Sequence, residues 1–435
     1  MAKLSSILLL ILISLALIPA SYAAAPIKDW TYLIYIPNSE KLTEHLQNNI
    51  IDLEHIGSDN NVNVLVQLGS TFDNKSYRLY INQKKTTDDA EDISSTVLKE
   101  LGNIDTGDYH QFEDFIAWAV QNYPAHHYFI EISGHGDGWI EPIYQPENLS
   151  LKMPGLNYMT RLAIGFDKNT NHYIATKELA EALRYAKKII GHNVDIYGSD
   201  ACEMGQIEVA YEMADSVDFF VGSQDTTPDH GWDYSAILGE WQSMSNPTPE
   251  QVTKLVIQHN LKFYQNAKAT GKTVSESDLN DLKNQGYTVA AYDLSKLPAL
   301  TQAIAILKED ILGLTEVDRE KILSKEKQAL HFTDEYNTDL IDFLDKLASL
   351  EIPNLNLQHI ENIKNAANQM IIANGSFGNG VQPGGVSILF PVEWQEHEKQ
   401  YVSEDYPLLK FHQETHWGDA VNYIWHGGSA QPMMP

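Results

Sequence analysis

Tyr128-Phe129-Ile130-Glu131-Ile132 runs directly into Ser133-Gly134-His135-Gly136-Asp137-Gly138-Trp139. The first five residues, mostly aromatic and β-branched, read as a strand, and the glycines after them read as a tight turn. Outward from there the same grammar repeats. Tyr32-Leu33-Ile34-Tyr35-Ile36, Val62-Asn63-Val64-Leu65-Val66, Val194-Asp195-Ile196-Tyr197 and Val217-Asp218-Phe219-Phe220-Val221 are further short apolar runs, mostly bounded by Gly, Asn, Asp or Ser. Helical patterns separate them, near residues 39–56, 109–122, 176–190 and 203–215. Strands alternating with helices predict right-handed βαβ crossovers, hence an α/β fold with a largely parallel sheet flanked by helices on both faces.

Residues 141–172 interrupt this rhythm. Pro142, Pro146, Pro154 and Gly155 punctuate a stretch of little periodicity, which reads as a long exposed loop. Beyond residue 245 the chain turns mainly helical, with amphipathic stretches around 248–268, 296–313, 318–349 and 357–373. Two strand-like pieces interrupt it, Thr288-Val289-Ala290-Ala291-Tyr292 and Val386-Ser387-Ile388-Leu389-Phe390. The expected organisation is a signal peptide over 1–23, an α/β domain over 28–245 and an α-rich C-terminal domain over 246–425.

The export reading rests on the first residues. Lys3 supplies a positive start, Ile7 to Ile18 is apolar apart from Ser14, and Pro19 ends the run. Ser21-Tyr22-Ala23 offers small residues at the positions a signal peptidase reads, so cleavage is expected after Ala23. An uncleaved anchor is the competing reading, but the run is shorter than the roughly 20 apolar residues needed to span a bilayer. The protein is therefore expected in the periplasm or outside the cell, with no stable membrane span after cleavage. In 435 residues there are 30 Lys and Arg against 59 Asp and Glu, a formal charge of −29. Such a surface repels phosphate backbones, which argues against a nucleic-acid partner, and it keeps a protein soluble. Export permits disulfides, yet Cys202 is the single cysteine and cannot form one within the chain. A lone cysteine is ordinarily a small buried hydrophobe; in an exported protein a free thiol also invites a chemical reading.

A partner for that thiol stands at an equivalent place. The strand Val194 to Tyr197 ends in Gly198-Ser199-Asp200-Ala201-Cys202-Glu203-Met204-Gly205, just as the strand before it ends at His135. Ligands of open parallel sheets bind beyond the carboxyl ends of the strands, so neighbouring strands would deliver His135 and Cys202 to one crevice. The thiolate is the attacking species, and a free cysteine is mostly protonated at neutral pH. An adjacent imidazole can take the proton or hold the thiolate as an ion pair. A helix after Cys202 would favour negative charge there. Gly136 has no side chain to obstruct a substrate, and its N–H with that of Cys202 would form an oxyanion hole. Alone, a histidine after a strand is more often structural, and a lone cysteine more often packing; the pair at two strand ends carries the signal.

Ser133-Gly134-His135-Gly136-Asp137-Gly138-Trp139 and Asp200-Ala201-Cys202-Glu203-Met204-Gly205 resemble, in this order and spacing, the two signatures of the clostripain family of cysteine peptidases, in the clan of caspases, legumains and gingipains. Gly222-Ser223-Gln224-Asp225 with Pro228-Asp229-His230-Gly231-Trp232-Asp233-Tyr234 is similar to the family's next block. Ala291-Tyr292-Asp293-Leu294-Ser295 and Gly385-Val386-Ser387-Ile388-Leu389-Phe390-Pro391 resemble its C-terminal segments. The resemblance implies a caspase-like fold and a cysteine endopeptidase with His135 as base and Cys202 as nucleophile. It also implies cleavage after Arg or Lys, with Asp200 pairing a basic P1 side chain and Asp229 as a weaker second acid. For Asp200 the competing reading is a helix N-cap, and for Asp229 a solvated turn residue. Relatives that process themselves between the two motifs suggest Lys152, Arg161 or Lys168 as cleavage points.

Other constellations carry less. Asp167, Asn169, Asn171 and Glu178 stand at positions 1, 3, 5 and 12 of an EF-hand-like spacing, but His172 occupies the place of the required Gly. A turn leading into a helix at Thr176 explains them better, so no cofactor is expected, with calcium as the exception to test. His126, His127 and His192 read as structural or solvated. No HExxH cluster and no phosphate loop is present. Two rivals remain at this level: a silent peptide-binding relative, and the same chemistry with another P1 preference such as Asn.

Overall fold

The computed structural model describes residues 26–39, 42–85, 92–140, 163–266, 274–333, 336–378, 380, 382–392 and 405–427. The expected signal peptide lies outside them, as do Lys152, Arg161 and most of the 141–172 loop. The strands are β1 (Lys28–Ile36), β2 (Val62–Ser70), β3 (Lys75–Tyr80), β4 (Thr96–Gly102), β5 (Ala125–Ser133), β6 (Val194–Asp200), β7 (Val217–Gly222), β8 (Tyr287–Asp293), β9 (Asn337–Asp339), β10 (Ile371–Phe377) and β11 (Ser387–Leu389). Nine form one sheet in the order β10-β8-β7-β6-β5-β1-β2-β3-β4, and β9 pairs with β11 apart from it. The centre, β2-β1-β5-β6-β7, is parallel throughout. Both flanks are antiparallel: β3 and β4 follow β2 as a meander, while β8 and β10 extend the other side.

The helices are α1 (Thr43–Glu54), α2 (Tyr109–Asn122), α3 (Thr176–Ile190), α4 (Ile207–Met213), α5 (Tyr234–Ser243), α6 (Pro249–Asn266), α7 (Glu276–Gln285), α8 (Leu297–Leu312), α9 (Glu316–Glu326), α10 (Leu340–Ala348), α11 (Leu357–Met370), α12 (Lys410–Thr415) and α13 (Trp417–His426). Side chains alternate across a strand, so β1 sends Leu33 and Tyr35 into one apolar cluster and Tyr32, Ile34 and Ile36 into another. The first cluster is closed by α2, α3 and α4 together with α8 to α13, the second by α1, α5, α6 and α7. The result is a three-layer α/β fold. Both faces of the parallel strands are covered, which is why β2 and the inner part of β5 are buried at every position. Among the described residues no helix is long and apolar enough to cross a membrane.

The helix-rich C-terminal region is present, and it shares the sheet. β8 pairs with β7 across the expected boundary near residue 245, and α5 and α6 on either side of it bury Trp241 and Val252 in one cluster. Two helical patterns shorten in the structure. The 318–349 stretch divides into α9 and α10, because Asn337–Asp339 pairs with β11 and Asp339 then caps α10 by accepting the Asp342 N–H at 2.9 Å. The 203–215 stretch becomes α4 alone, because residues 201–206 are spent on turns, with Glu203 in the left-handed region at φ 59°.

Candidate active site

Register brings the two loops to one height. In the parallel pairing of β5 with β6, Ser133 stands opposite Asp200, and the Gly134 N–H then donates to the Asp200 carbonyl at 3.1 Å. His135 and Cys202 each follow two residues later, so adjacent strands release them side by side. They line a single cleft of about 350 Å³ including its open mouth, together with Asp200 and Asp229. Leu42, Leu46 and Asn49 form one wall, three residues on a common face of the α1 segment. Thr227, Pro228 and Gly231 close the opposite side.

Cys202 is half-buried, and its Sγ accepts the Thr227 backbone N–H at 3.3 Å. Burial pushes the thiol up to about 12; the Thr227 N–H opposes the shift, and the negative charges of Glu203, Asp229 and Asp137 add to it. The expected help from a helix N-terminus is absent, since α4 starts only at Ile207. What holds the Cys202 turn instead is the segment after β7: the Glu203 N–H donates to the Asp225 carbonyl and the Gly205 N–H to the Ser223 carbonyl.

The His135 loop is braced from its outer side. His135 accepts the Gly165 N–H at 3.2 Å, Asp137 donates to Ala163 at 2.9 Å, and Gly136 faces Ile164 in an antiparallel bridge. In such a pair the central residue's own N–H points away from its partner, here away from residues 163–165. Gly136 also lies against the Cys202 turn so closely that a Cβ would stand 2.6 Å from the Cys202 carbonyl oxygen. Glycine is required there by close approach.

Asp200 and Asp229 sit in different surroundings. Asp200 is 4% exposed, and its Oδ2 accepts the Trp232 N–H at 3.0 Å and the Tyr234 hydroxyl at 2.8 Å. It caps no helix. The Tyr234 hydroxyl also meets Glu131 Oε1, and the Tyr32 hydroxyl meets Glu131 Oε2, so a buried polar network underlies the cleft floor. Asp229 is exposed in the turn closed by the Gly231 N–H to the Pro228 carbonyl, at the cleft rim. Thr227, Tyr234, Glu131 and the α1 wall escaped the sequence reading. Of these, only the helical spacing of Leu42, Leu46 and Asn49 offered any signal.

Both end carboxylates of the EF-hand-like stretch accept hydrogen bonds from the protein. Asp167 Oδ2 accepts the Thr106 N–H and hydroxyl at 2.8 and 2.6 Å, while its Oδ1 accepts the Asn169 N–H at 2.7 Å. Glu178 reaches back to the Ala175 N–H at 3.0 Å as a cap of α3. Among the described residues one trio, His412, His416 and Asp419, has donor atoms all within 4.8 Å of one another. The Gly418 N–H already points at His412 Nδ1, at 3.2 Å. His127 is structural, its Nδ1 bound to Asp195 at 2.6 Å.

Comparison with known proteins agrees with this architecture. A model described as the clostripain family matches residues 34–425. Clostripain of Hathewaya histolytica is 23% identical over 392 residues, covering 82% of this chain and 70% of its own length. A secreted C11 cysteine protease from Bacteroides thetaiotaomicron, solved with an irreversible peptide inhibitor, shares the fold at 20% identity and TM-score 0.62, covering 89% of this chain and 99% of that one. An inactive zymogen C11 protease from Parabacteroides distasonis does so at 16% identity and TM-score 0.62, covering 90% of this chain and 99% of that one. The family match begins within β1, ends within α13 and takes in both loops of the cleft; the chain belongs to the clostripain family and is a cysteine peptidase.

Proposed function

We propose that the protein is an exported endopeptidase that cleaves after Arg or Lys through a thioester acyl-enzyme, with Cys202 as nucleophile and His135 as base. The observation that carries this reading is the Ser133–Asp200 register, which releases both residues from adjacent strand ends into one cleft floored by a buried carboxylate. The raised thiol pKa favours a concerted route: His135 takes the Sγ proton as sulfur attacks the scissile carbonyl carbon. The Gly136 and Cys202 N–H groups receive the oxyanion. Collapse breaks the C–N bond, the leaving amine takes the proton from His135, and a thioester remains. Water, deprotonated by His135, then releases the acid and restores the thiol.

Asp200 receives the basic P1 side chain, and Asp229 adds negative charge at the rim. The hydrogen bonds from Trp232 and Tyr234 support this role by fixing the plane of the Asp200 carboxylate before substrate arrives. The reaction draws on the chain's own groups with no cofactor, and the substrate is a peptide or protein. Export follows from the N-terminal pattern and is in keeping with a solved relative described as secreted. Self-processing in the 141–172 loop is supported by a relative described as an inactive zymogen, and Lys168 is exposed.

The test is cleavage of fluorogenic peptides bearing Arg, Lys or Asn at P1, by the mature protein beside Cys202→Ala and His135→Ala. Activity on Arg or Lys that both substitutions abolish is expected. Activity confined to Asn would remove the role given to Asp200. Silence across the panel, even after limited cleavage of the loop and with added calcium, would leave a peptide-binding relative.

A further inference from the structure

Behind the cleft a buried amide joins the two loops. Gln206 follows Cys202 by four residues, is 1% exposed, and its Oε1 accepts the Trp139 backbone N–H at 3.0 Å. Its own backbone is held independently. The Gln206 N–H donates to the Met204 carbonyl at 2.8 Å, the Ala210 N–H donates to the Gln206 carbonyl at 3.0 Å, and Gln206 forms a parallel bridge with Ser387. The side chain thus reaches from an anchored base on the Cys202 loop to the end of the His135 loop.

The other loop is shaped to admit it. A Cβ at Gly138 would fall 2.1 Å from Gln206 Nε2 and 2.2 Å from Oε1, and Gly138 has φ 65°, so both space and backbone call for glycine. The Gly138 carbonyl accepts the Thr176 hydroxyl at 3.2 Å, and Trp139 is buried with its ring edge-on to Tyr406 at 4.9 Å. Gln206 Nε2, in contrast, is buried with no hydrogen-bond partner among the described residues. An apolar side chain of similar length would fill the space without burying an unmatched donor. The amide is accounted for by its acceptor oxygen alone.

We propose that Gln206 is a positioning residue: by holding the Trp139 N–H it sets the His135 loop against the Cys202 loop so that imidazole and thiol meet at proton-transfer distance. This rests on the reading of His135 and Cys202 as base and nucleophile. Removing the acceptor frees the His135 loop to move by a fraction of an ångström, which slows proton transfer while leaving P1 binding at Asp200 intact.

The experiment uses the full mature chain and an Arg-P1 fluorogenic peptide, comparing wild type with Gln206→Met and Gln206→Glu. Gln206→Met keeps the volume and loses the acceptor; kcat is expected to fall about 10- to 100-fold with KM within about twofold of wild type. Gln206→Glu retains an acceptor oxygen and is expected to recover most of that loss. Iodoacetamide alkylation of Cys202, which needs no base held in place, is expected to proceed at the wild-type rate in both. Should Gln206→Met fail to fold, Gln206→Ala, which removes the acceptor without overpacking the site, must give the same kcat-only loss. An unchanged kcat, a loss confined to KM, or equal losses in the Met and Glu variants would overturn the proposal. A wild type that is inactive, or a Cys202→Ala variant that matches it, would instead overturn the peptidase reading beneath it.

Discussion

At Cys202, burial and neighbouring acids oppose ionisation, with the thiol pushed up to about 12. Without substrate, alkylation by iodoacetamide is therefore expected to climb about tenfold per pH unit from pH 7 to 10, because the thiolate fraction grows that way below the pKa. A rate already level from about pH 6 would mean a resting imidazolium–thiolate pair. The carboxylates differ by exposure. Asp200→Asn, at a buried site with a fixed carboxylate, is expected to lower kcat/KM for Arg-P1 peptides about 100-fold or more, mostly through KM. Asp229→Asn, at the exposed rim, should lower it by less than about fivefold and make it less sensitive to salt, since exposed charges are screened. Steady-state kinetics on matched Arg and norleucine peptides separates lost charge recognition from lost chemistry. His135 and Cys202 stand out in the sequence because each is a reactive residue in a glycine-bounded turn. Tyr234 and Thr227 do not, because a tyrosine in a helix and a backbone N–H in a loop carry no mark of what lies beside them.

Among the elements, the segment 163–174 is tied to a distant part of the chain through Asp167. Asp167 is fully buried, ties Thr106 to its own turn, and stands beside the strip that braces Gly136. Asp167→Ala strands the Thr106 donors in the interior, and a loss of about 2–4 kcal/mol is expected, read as a lower urea midpoint at unchanged slope. Chelation with EDTA should leave both the midpoint and the activity unchanged; a fall in either would point to a bound calcium ion. The spacing of acids and amides over 167–178 is equally compatible with an ion-binding loop and an Asx turn. The Thr106 and Ala175 donors favour the turn, and Thr106 comes from a distant part of the chain.

For the whole molecule, the sheet is one continuous body from β4 to β10, and its second half is completed by C-terminal strands. Residues 28–245 expressed alone would expose the β7 edge and the apolar surface now covered by α8 to α13. They are expected to give a collapsed, dye-binding state without a cooperative thermal transition, whereas co-expression with 246–425 should restore one. The α/β layering was readable from sequence because short strands buried on both faces must be apolar throughout, and the helices between them show their period. So was the position of the two turns, since glycine, histidine and cysteine at strand ends mark them locally. What the linear pattern left undecided was pairing: that β8 and β10 join the same sheet antiparallel, that Asp200 turns to Trp232 and Tyr234 instead of capping a helix, and that Gln206 reaches Trp139. Those outcomes depend on contacts between residues tens of positions apart, whose energies arise only when packing brings them together, and so only the tertiary structure could decide them.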